Sequence, residues 1–297
     1  MKIPMSVLKQ VVGVPAIVAS TLLWVVVLAL MPPTLGLVGF GTGAAALVLL
    51  AAGLGEKAAA PLLAGARTAT TAEQAVLSPV LAHVALCGAN LEGRRMLVRQ
   101  MVSAQTPPVQ LLGRESLLVT PWLIEAAYRG SLSVKESVAL VVYAEGRHRA
   151  ERYRREVAML AWMLPWRAGA GLGRGIGRVA GRFPLIRFAW AFRGVIGVVA
   201  VVQQVDEGRP AVGVLAGSIV ALTYLVPAAN DATARRVEAA ADEAVVRCGL
   251  GPAMVKVLRR YRMPVTLERL HRLDGGGTGS GGSQSPAAGR DTVMISS

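Results

Sequence analysis

The chain has 297 residues, of which 53% are hydrophobic, and its mean hydropathy is +0.49. This composition is too apolar for an ordinary soluble domain and predicts a membrane protein with a water-facing part. The net charge of +14 suits a cytoplasmic face on anionic lipid, and nucleic-acid binding is disfavoured because no nucleic-acid-binding motif accompanies the charge. The two cysteines, Cys87 and Cys248, make no disulfide framework and fit a reducing compartment.

Two apolar runs follow a short basic N-terminus, residues 1–10. Residues 11–30 carry no charge and have about the length of one membrane-spanning helix. Pro32 and Pro33 end that helix, since proline lacks the backbone N–H and restricts the residue before it. A second uncharged run follows at once, and residues 11–55 are therefore predicted to be a transmembrane hairpin. A cleaved signal peptide is the alternative for the first run.

Residues 56–184 are predicted to form the first part of a water-facing lobe. Apolar residues recur at helical spacing over residues 72–88 and 91–102. A short strand is predicted over Ser116–Thr120, and Trp122–Gly130 is predicted to be a short helix. These segments predict helices with a small β element.

A capping box marks the start of the next helix. In this motif the Ser133 side chain and the Glu136 carboxylate each accept a hydrogen bond from the other residue's backbone N–H. The motif predicts a helix over residues 134–162, with an apolar first half and an arginine-rich second half.

A second hairpin is predicted over residues 185–229. Its first span, residues 185–205, reaches spanning length only if Arg187 and Arg193 extend to the membrane interface. Residues 230–273 return to the lobe, and residues 274–297 form a low-complexity tail, which we expect to be disordered. Basic residues are concentrated outside the hairpin turns. The positive-inside rule therefore predicts a multi-pass protein of the inner or plasma membrane with both termini and the lobe in the cytoplasm.

Two motifs carry the candidate chemistry. Ala144-Glu145-Gly146-Arg147-His148 looks like H-E-x-x-H with alanine in place of the first histidine. In the intact motif two imidazoles on one helical face bind zinc, and the glutamate is the general base. Further along, Glu238 and Asp242 belong to an E-x-x-A-D segment and project from one side of a helix.

The order of these features resembles the HtpX-like membrane zinc peptidases, gluzincins related to the CAAX prenyl proteases. The resemblance covers about residues 10–262 and rests on a hairpin, the segment LLVTPWLIEA, the A-E-G-R-H helix, a second hairpin and R-R-V-E-A-A-A-D. It implies a mainly α, integral membrane fold with four transmembrane helices in two hairpins and a cytoplasmic metallopeptidase-like lobe.

The resemblance also implies roles for single residues. Glu145 would occupy the general-base position, His148 and Glu238 would be zinc ligands, and Asp242 would orient a ligand. Ala144 departs from the family pattern, because its methyl group cannot coordinate and catalytic zinc normally takes three protein ligands. Zinc is accordingly the implied cofactor of an active form, and an impaired form would need none.

We therefore expect a pseudopeptidase that lies in the lipid bilayer and binds peptides or membrane-protein partners rather than cutting them. One alternative is an active membrane metalloendopeptidase with a rearranged ligand set, to which His83 and Cys87 could contribute. Another is a membrane scaffold unrelated to peptidases, in which Glu145 pairs with a neighbouring arginine and the acids of E-x-x-A-D pair with Arg235 and Arg236.

Overall fold

The computed structural model describes residues 17–18, 20–26, 28, 30–89, 91, 93–103, 106–151, 156–164, 192–261, 263, 265–274 and 292–293. The described chain is mainly helical, with a small sheet. It divides into two compact units. We call Met1–Ala45 with Leu160–Arg235 the hairpin unit, and Ala46–Met159 with Arg236–Ser297 the lobe.

The described elements follow one another along the chain as short helices and strands between longer helices. They are α1 Pro33–Ala52, α2 Glu56–Ala64, β1 Ala66–Thr68, α3 Thr71–Leu86, β2 Arg95–Arg99, β3 Val109–Leu112, β4 Ser116–Val119, α4 Pro121–Tyr128, α5 Val134–Glu151, α6 Glu156–Trp162, α7 Arg193–Asp206, α8 Pro210–Arg247, α9 Gly251–Arg260, β5 Val265–Thr266, α10 Leu267–Asp274 and β6 Thr292–Val293.

Two of the described helices, α1 and α8, are long and apolar enough to cross a membrane. Their best 18-residue windows have mean hydropathies of 2.0 and 1.9, and only 6% of each window is buried within the protein. Four spans were predicted. Residues 1–16 and 185–191 lie outside the described residues, and α7 has 14 residues, fewer than the roughly 20 that a spanning helix needs. The described residues thus contain two candidate spans.

A four-stranded sheet lies in the lobe with the strand order β1-β2-β4-β3. β2 and β4 are parallel, and β1 and β3 pair antiparallel on either side of them. The prediction of a strand over Ser116–Thr120 is confirmed by β4. The prediction of a helix over residues 91–102 is wrong, because β2 lies there. Its apolar run Met96–Val98 is buried, and periodicity alone does not separate a short buried strand from a buried helix.

The predicted helix start at the capping box is confirmed. Ser133 N donates to Glu136 Oε2 at 2.8 Å, and Glu136 N donates to Ser133 Oγ at 3.3 Å. The helix α5 that begins there runs to Glu151, α6 follows from Glu156, and the four residues between them lie outside the described residues. The last part of the second predicted hairpin and the first residues of the segment predicted to return to the lobe form one continuous helix, α8.

Helix α5 runs through the middle of the lobe and positions the motif. It packs against α3, β3 and α9, and its residues Ser137–Val142 are buried. Gly146 allows α8 to approach closely, since a Cβ atom there would lie 2.7 Å from Ala244 Cβ and 3.1 Å from Ala241 Cα. The glycine of A-E-G-R-H therefore packs on the same helical segment that carries E-x-x-A-D.

Candidate functional site

A cavity of about 470 Å³ lies beside the broken motif. Ala144 and His148 are one turn apart on α5 and both line this cavity, as the spacing of the motif predicts. The other walls are formed by residues of β3 and of the segment just before it, and by residues in or next to α9 and α10. The lining residues are Thr106, Pro107, Pro108, Val109, Gln110, Leu111, Leu140, Tyr143, Ala144, Arg147, His148, Glu151, Met254, Leu258, Met263 and Arg269.

Strand β3 is the edge of the described sheet on the cavity side. Thr120 N donates to the Pro108 carbonyl at 2.9 Å, so these two residues form a hydrogen-bonded pair of the antiparallel ladder. Such pairs alternate along the ladder. Val109 and Leu111 therefore direct their backbone N–H and C=O groups away from β4, towards the free edge. The cavity is bounded on this side by backbone groups that an extended chain can pair with.

Glu145, the predicted general base, is buried and forms an ion pair with Arg149, one turn further along α5. Arg149 also donates to the Gly88 carbonyl at 3.3 Å, at the end of α3. Glu145 is not among the residues that line the cavity. Its role as a base stays a prediction, and the described geometry contains the arginine pairing that the alternative interpretation expects.

The predicted ligand Glu238 and its partner Asp242 both bind one arginine, Arg269 of α10. Arg269 Nη1 lies 2.6 Å from Glu238 Oε1, while its Nε and Nη2 lie 3.0–3.2 Å from the Asp242 carboxylate oxygens. The guanidinium also stacks over the Tyr143 ring, with its carbon 5.1 Å from the ring centroid. Arg269 belongs to neither motif, and no local pattern in the sequence distinguishes it from the many other arginines.

Burial sets the charge state of several groups around the cavity. Asp242 is fully buried, and this burial raises the pKa of its carboxyl despite the neighbouring Arg269. Burial also raises the pKa of Tyr143. For His148, burial and the positive charge of Arg94 lower the imidazole pKa, against the opposing effect of Glu151. At neutral pH His148 is therefore a neutral imidazole.

The donor set around the motif does not fit a zinc ion. The first ligand position holds the Ala144 methyl, and the Glu238 carboxylate is engaged by a guanidinium that already supplies a positive charge. His83, considered as a replacement ligand, bonds through Nδ1 to the Pro79 carbonyl at 2.8 Å. Among the described residues, no group of three His, Cys, Asp or Glu side chains is placed to hold a metal ion. The ligand roles of His148 and Glu238 stay predictions.

Comparisons of this chain with models of protein families, with curated proteins and with solved structures found no match.

Proposed function

We propose that this chain is a membrane-bound pseudopeptidase related to the HtpX-like zinc peptidases. It binds an extended polypeptide segment in the cavity beside β3 and does not cut it. One observation carries the proposal: the edge strand β3 of the described sheet and the alanine-bearing face of the motif helix border the same cavity.

Membrane attachment is supported by the apolar surface of the candidate spans. Large apolar side chains on α1 and α8 are exposed, among them Leu37, Phe40, Val48 and Leu225. Lipid would cover such residues, whereas a core helix of a soluble protein would bury them. By the positive-inside rule, the charge distribution favours a cytoplasmic position for the lobe and both termini, and the basic surface suits anionic lipid.

Polypeptide binding is supported by the two kinds of surface that line the cavity. An added strand can hydrogen-bond to the outward N–H and C=O groups of Val109 and Leu111. Apolar residues such as Leu140, Met254 and Leu258 line the space in which the side chains of that strand would lie. Backbone pairing of this kind is tolerant of sequence, so the partner is an unfolded or extended segment rather than one fixed motif.

Loss of catalysis is supported by the contacts of the motif residues. Ala144 offers no ligand atom, and the Glu145 carboxylate binds Arg149 instead of lining the cavity. Arg269 provides the positive charge that holds Glu238 and Asp242. The three acids of the two motifs thus bind arginines rather than a metal ion.

The test uses the full chain in detergent with a fluorescently labelled unfolded polypeptide, reduced and alkylated casein. We expect saturable binding by fluorescence anisotropy, no cleavage products on a gel, and substoichiometric zinc by elemental analysis. Cleavage accompanied by one zinc per chain would establish the active-peptidase alternative instead. If the chain neither binds nor cleaves casein, both the pseudopeptidase proposal and the active-peptidase alternative are overturned.

Two variants locate the binding site. Ala144→Leu fills the cavity and should weaken casein binding at least tenfold, whereas the matched change Ala72→Leu, at an exposed position on α3, should leave it unchanged. Val109→Pro removes one outward N–H and should weaken binding about 2- to 10-fold, the range expected for one hydrogen bond. Equal affinity of Ala144→Leu and the wild type would place the binding site elsewhere.

A further inference from the structure

The two cysteines of the chain meet at one corner of the lobe. Cys87 caps the C-terminal end of α3, and Cys248 directly follows the last residue of α8. Each is followed by a glycine with a left-handed backbone, Gly88 at φ 73° and Gly249 at φ 67°. Both chain segments therefore turn immediately after the cysteine, and the two turns bring the thiols together.

The contact between the two residues is direct although 161 positions separate them. The Cys248 thiol donates to the Cys87 carbonyl oxygen, with Sγ···O at 3.7 Å, so the Cys248 side chain lies directly against residue 87. Both side chains are half-buried and both thiols are free. The pair thus remains within reach of a small reagent.

We propose that Cys87 and Cys248 are a site of reversible oxidation, at which a low-molecular-weight disulfide such as oxidised glutathione joins them. One thiol loses its proton, and its sulfur attacks the glutathione disulfide, which releases one glutathione thiolate and leaves a mixed disulfide. The second thiol loses its proton and attacks the protein-bound sulfur, which forms the Cys87–Cys248 bond and releases the second glutathione. Two protein thiols are oxidised, and one glutathione disulfide is reduced.

The surroundings of the pair set the rate of this exchange. Burial, with the neighbouring Cys87, raises the pKa of the Cys248 thiol to about 11. The other charged groups that act on it are Arg247 on α8 and Glu145 on α5, and Glu145 is itself paired with Arg149. Because the thiolate is the attacking species, attack by Cys248 is slow at neutral pH and accelerates as the pH rises through the alkaline range.

The cross-link would join the ends of two helices that flank α5. It closes a long loop of the chain, and such a bond stabilises chiefly by restricting the unfolded state. It is independent of any peptide bound beside β3, because neither cysteine lines that cavity.

The test equilibrates the full chain in detergent with glutathione buffers of increasing oxidised fraction, followed by acid quench and alkylation of the remaining thiols. We expect a species that has lost two hydrogen atoms and takes up no alkylating reagent. Its thermal midpoint of unfolding should be roughly 5–10 °C higher, and dithiothreitol should reverse both changes. Cys87→Ser and Cys248→Ser should each stop at a glutathione adduct and show no such increase.

Two outcomes would overturn the inference. One is a wild-type chain that retains two alkylatable thiols, or carries two separate glutathione adducts, at every buffer ratio. The other is a disulfide between chains, visible as a dimer on a non-reducing gel. Folding of the serine variants is checked by their thermal midpoints under reducing conditions, which should equal that of the wild type.

Discussion

Two arginine–carboxylate pairs in the lobe share one chemistry and differ in their surroundings. Arg67 donates through both terminal nitrogens to Glu73 at 2.8 and 2.6 Å near the surface, at the start of α3. Arg269 donates to both oxygens of Asp242 in the interior. The bond from Arg67 lowers the pKa of Glu73 to about 2, whereas burial raises the pKa of Asp242.

The pKa values of Glu73 and Asp242 shift in opposite directions because the attraction of the arginine is the larger effect at the surface and the loss of hydration is the larger effect in the interior. At the surface water still solvates the carboxylate, so the arginine adds to a charge that is already stable. In the interior the loss of hydration outweighs the attraction of Arg269, and the negative charge of Glu238 raises the pKa of Asp242 further. The interior pair therefore has a large penalty for being broken and a small net contribution to stability while it is intact.

The largest expected effect comes from breaking the interior pair. Arg269→Met removes the arginine that binds both oxygens of the buried Asp242 carboxylate and leaves only the more distant Arg272, whose Nη1 lies 4.0 Å from Oδ2. The change should lower the free energy of unfolding at neutral pH by about 3–5 kcal/mol. Arg67→Met, the matched change at the surface pair, should leave the thermal midpoint nearly unchanged. Chemical denaturation of both variants gives the comparison, and equal losses would refute the distinction between the two pairs.

The loss in Arg269→Met should depend on pH. Without Arg269 the pKa of the Asp242 carboxyl should rise further above its ordinary value of 3.8, because the remaining Arg272 has the weaker effect. The folded state then favours the protonated acid, so the variant approaches wild-type stability at low pH and loses stability as the pH rises through that raised pKa. Unfolding free energies between about pH 4 and pH 8 measure this slope, and a loss that is constant across the range would contradict it. Asp242→Asn/Arg269→Met should remove the slope.

His148 should give a smaller pH dependence of stability, with the loss at low pH rather than at high pH. The cause is again that burial disfavours the charged form of the side chain. Its folded pKa lies below its ordinary value of 6.5, so below that pH the unfolded chain binds a proton that the folded chain resists. Stability should therefore fall as the pH decreases below 6.5. His148→Gln should lack this decline and His83→Gln, at an exposed position, should retain it. The comparison is made by thermal unfolding across the pH range.

The smallest effects on stability are expected at the start of α3, where the surface pair lies. Thr70 and Glu73 form a capping box at the start of α3, and Thr70→Ala should cost about 1 kcal/mol of stability. The lowered pKa of Glu73 means that its contribution is present above pH 4.5 and is lost as the pH falls towards 2. Glu73→Gln should abolish that acid-dependent decline, and its persistence in the variant would assign it to other carboxylates.

Local patterns predicted the parts of the lobe that depend on neighbouring residues. The capping box at Ser133 marked the start of α5, and the spacing of Ala144 and His148 placed both on the cavity wall. β2 was predicted to be helical because its three consecutive apolar residues do not show the alternation typical of a half-buried strand. They form a strand because they pair with β4, which lies further along the chain. Arg269 was missed for the same reason, since its partners lie 27 or more positions earlier in the chain.

Strand β3 has a further consequence for solubility. An unpaired strand edge is a template on which other copies of a chain can add strands and aggregate. Pro107 and Pro108 stand immediately before β3, and neither has a backbone N–H with which to extend the ladder. The exposed edge is therefore limited to the few residues beside the cavity. A polypeptide bound as proposed would cover those residues and so prevent self-association of the chain through β3.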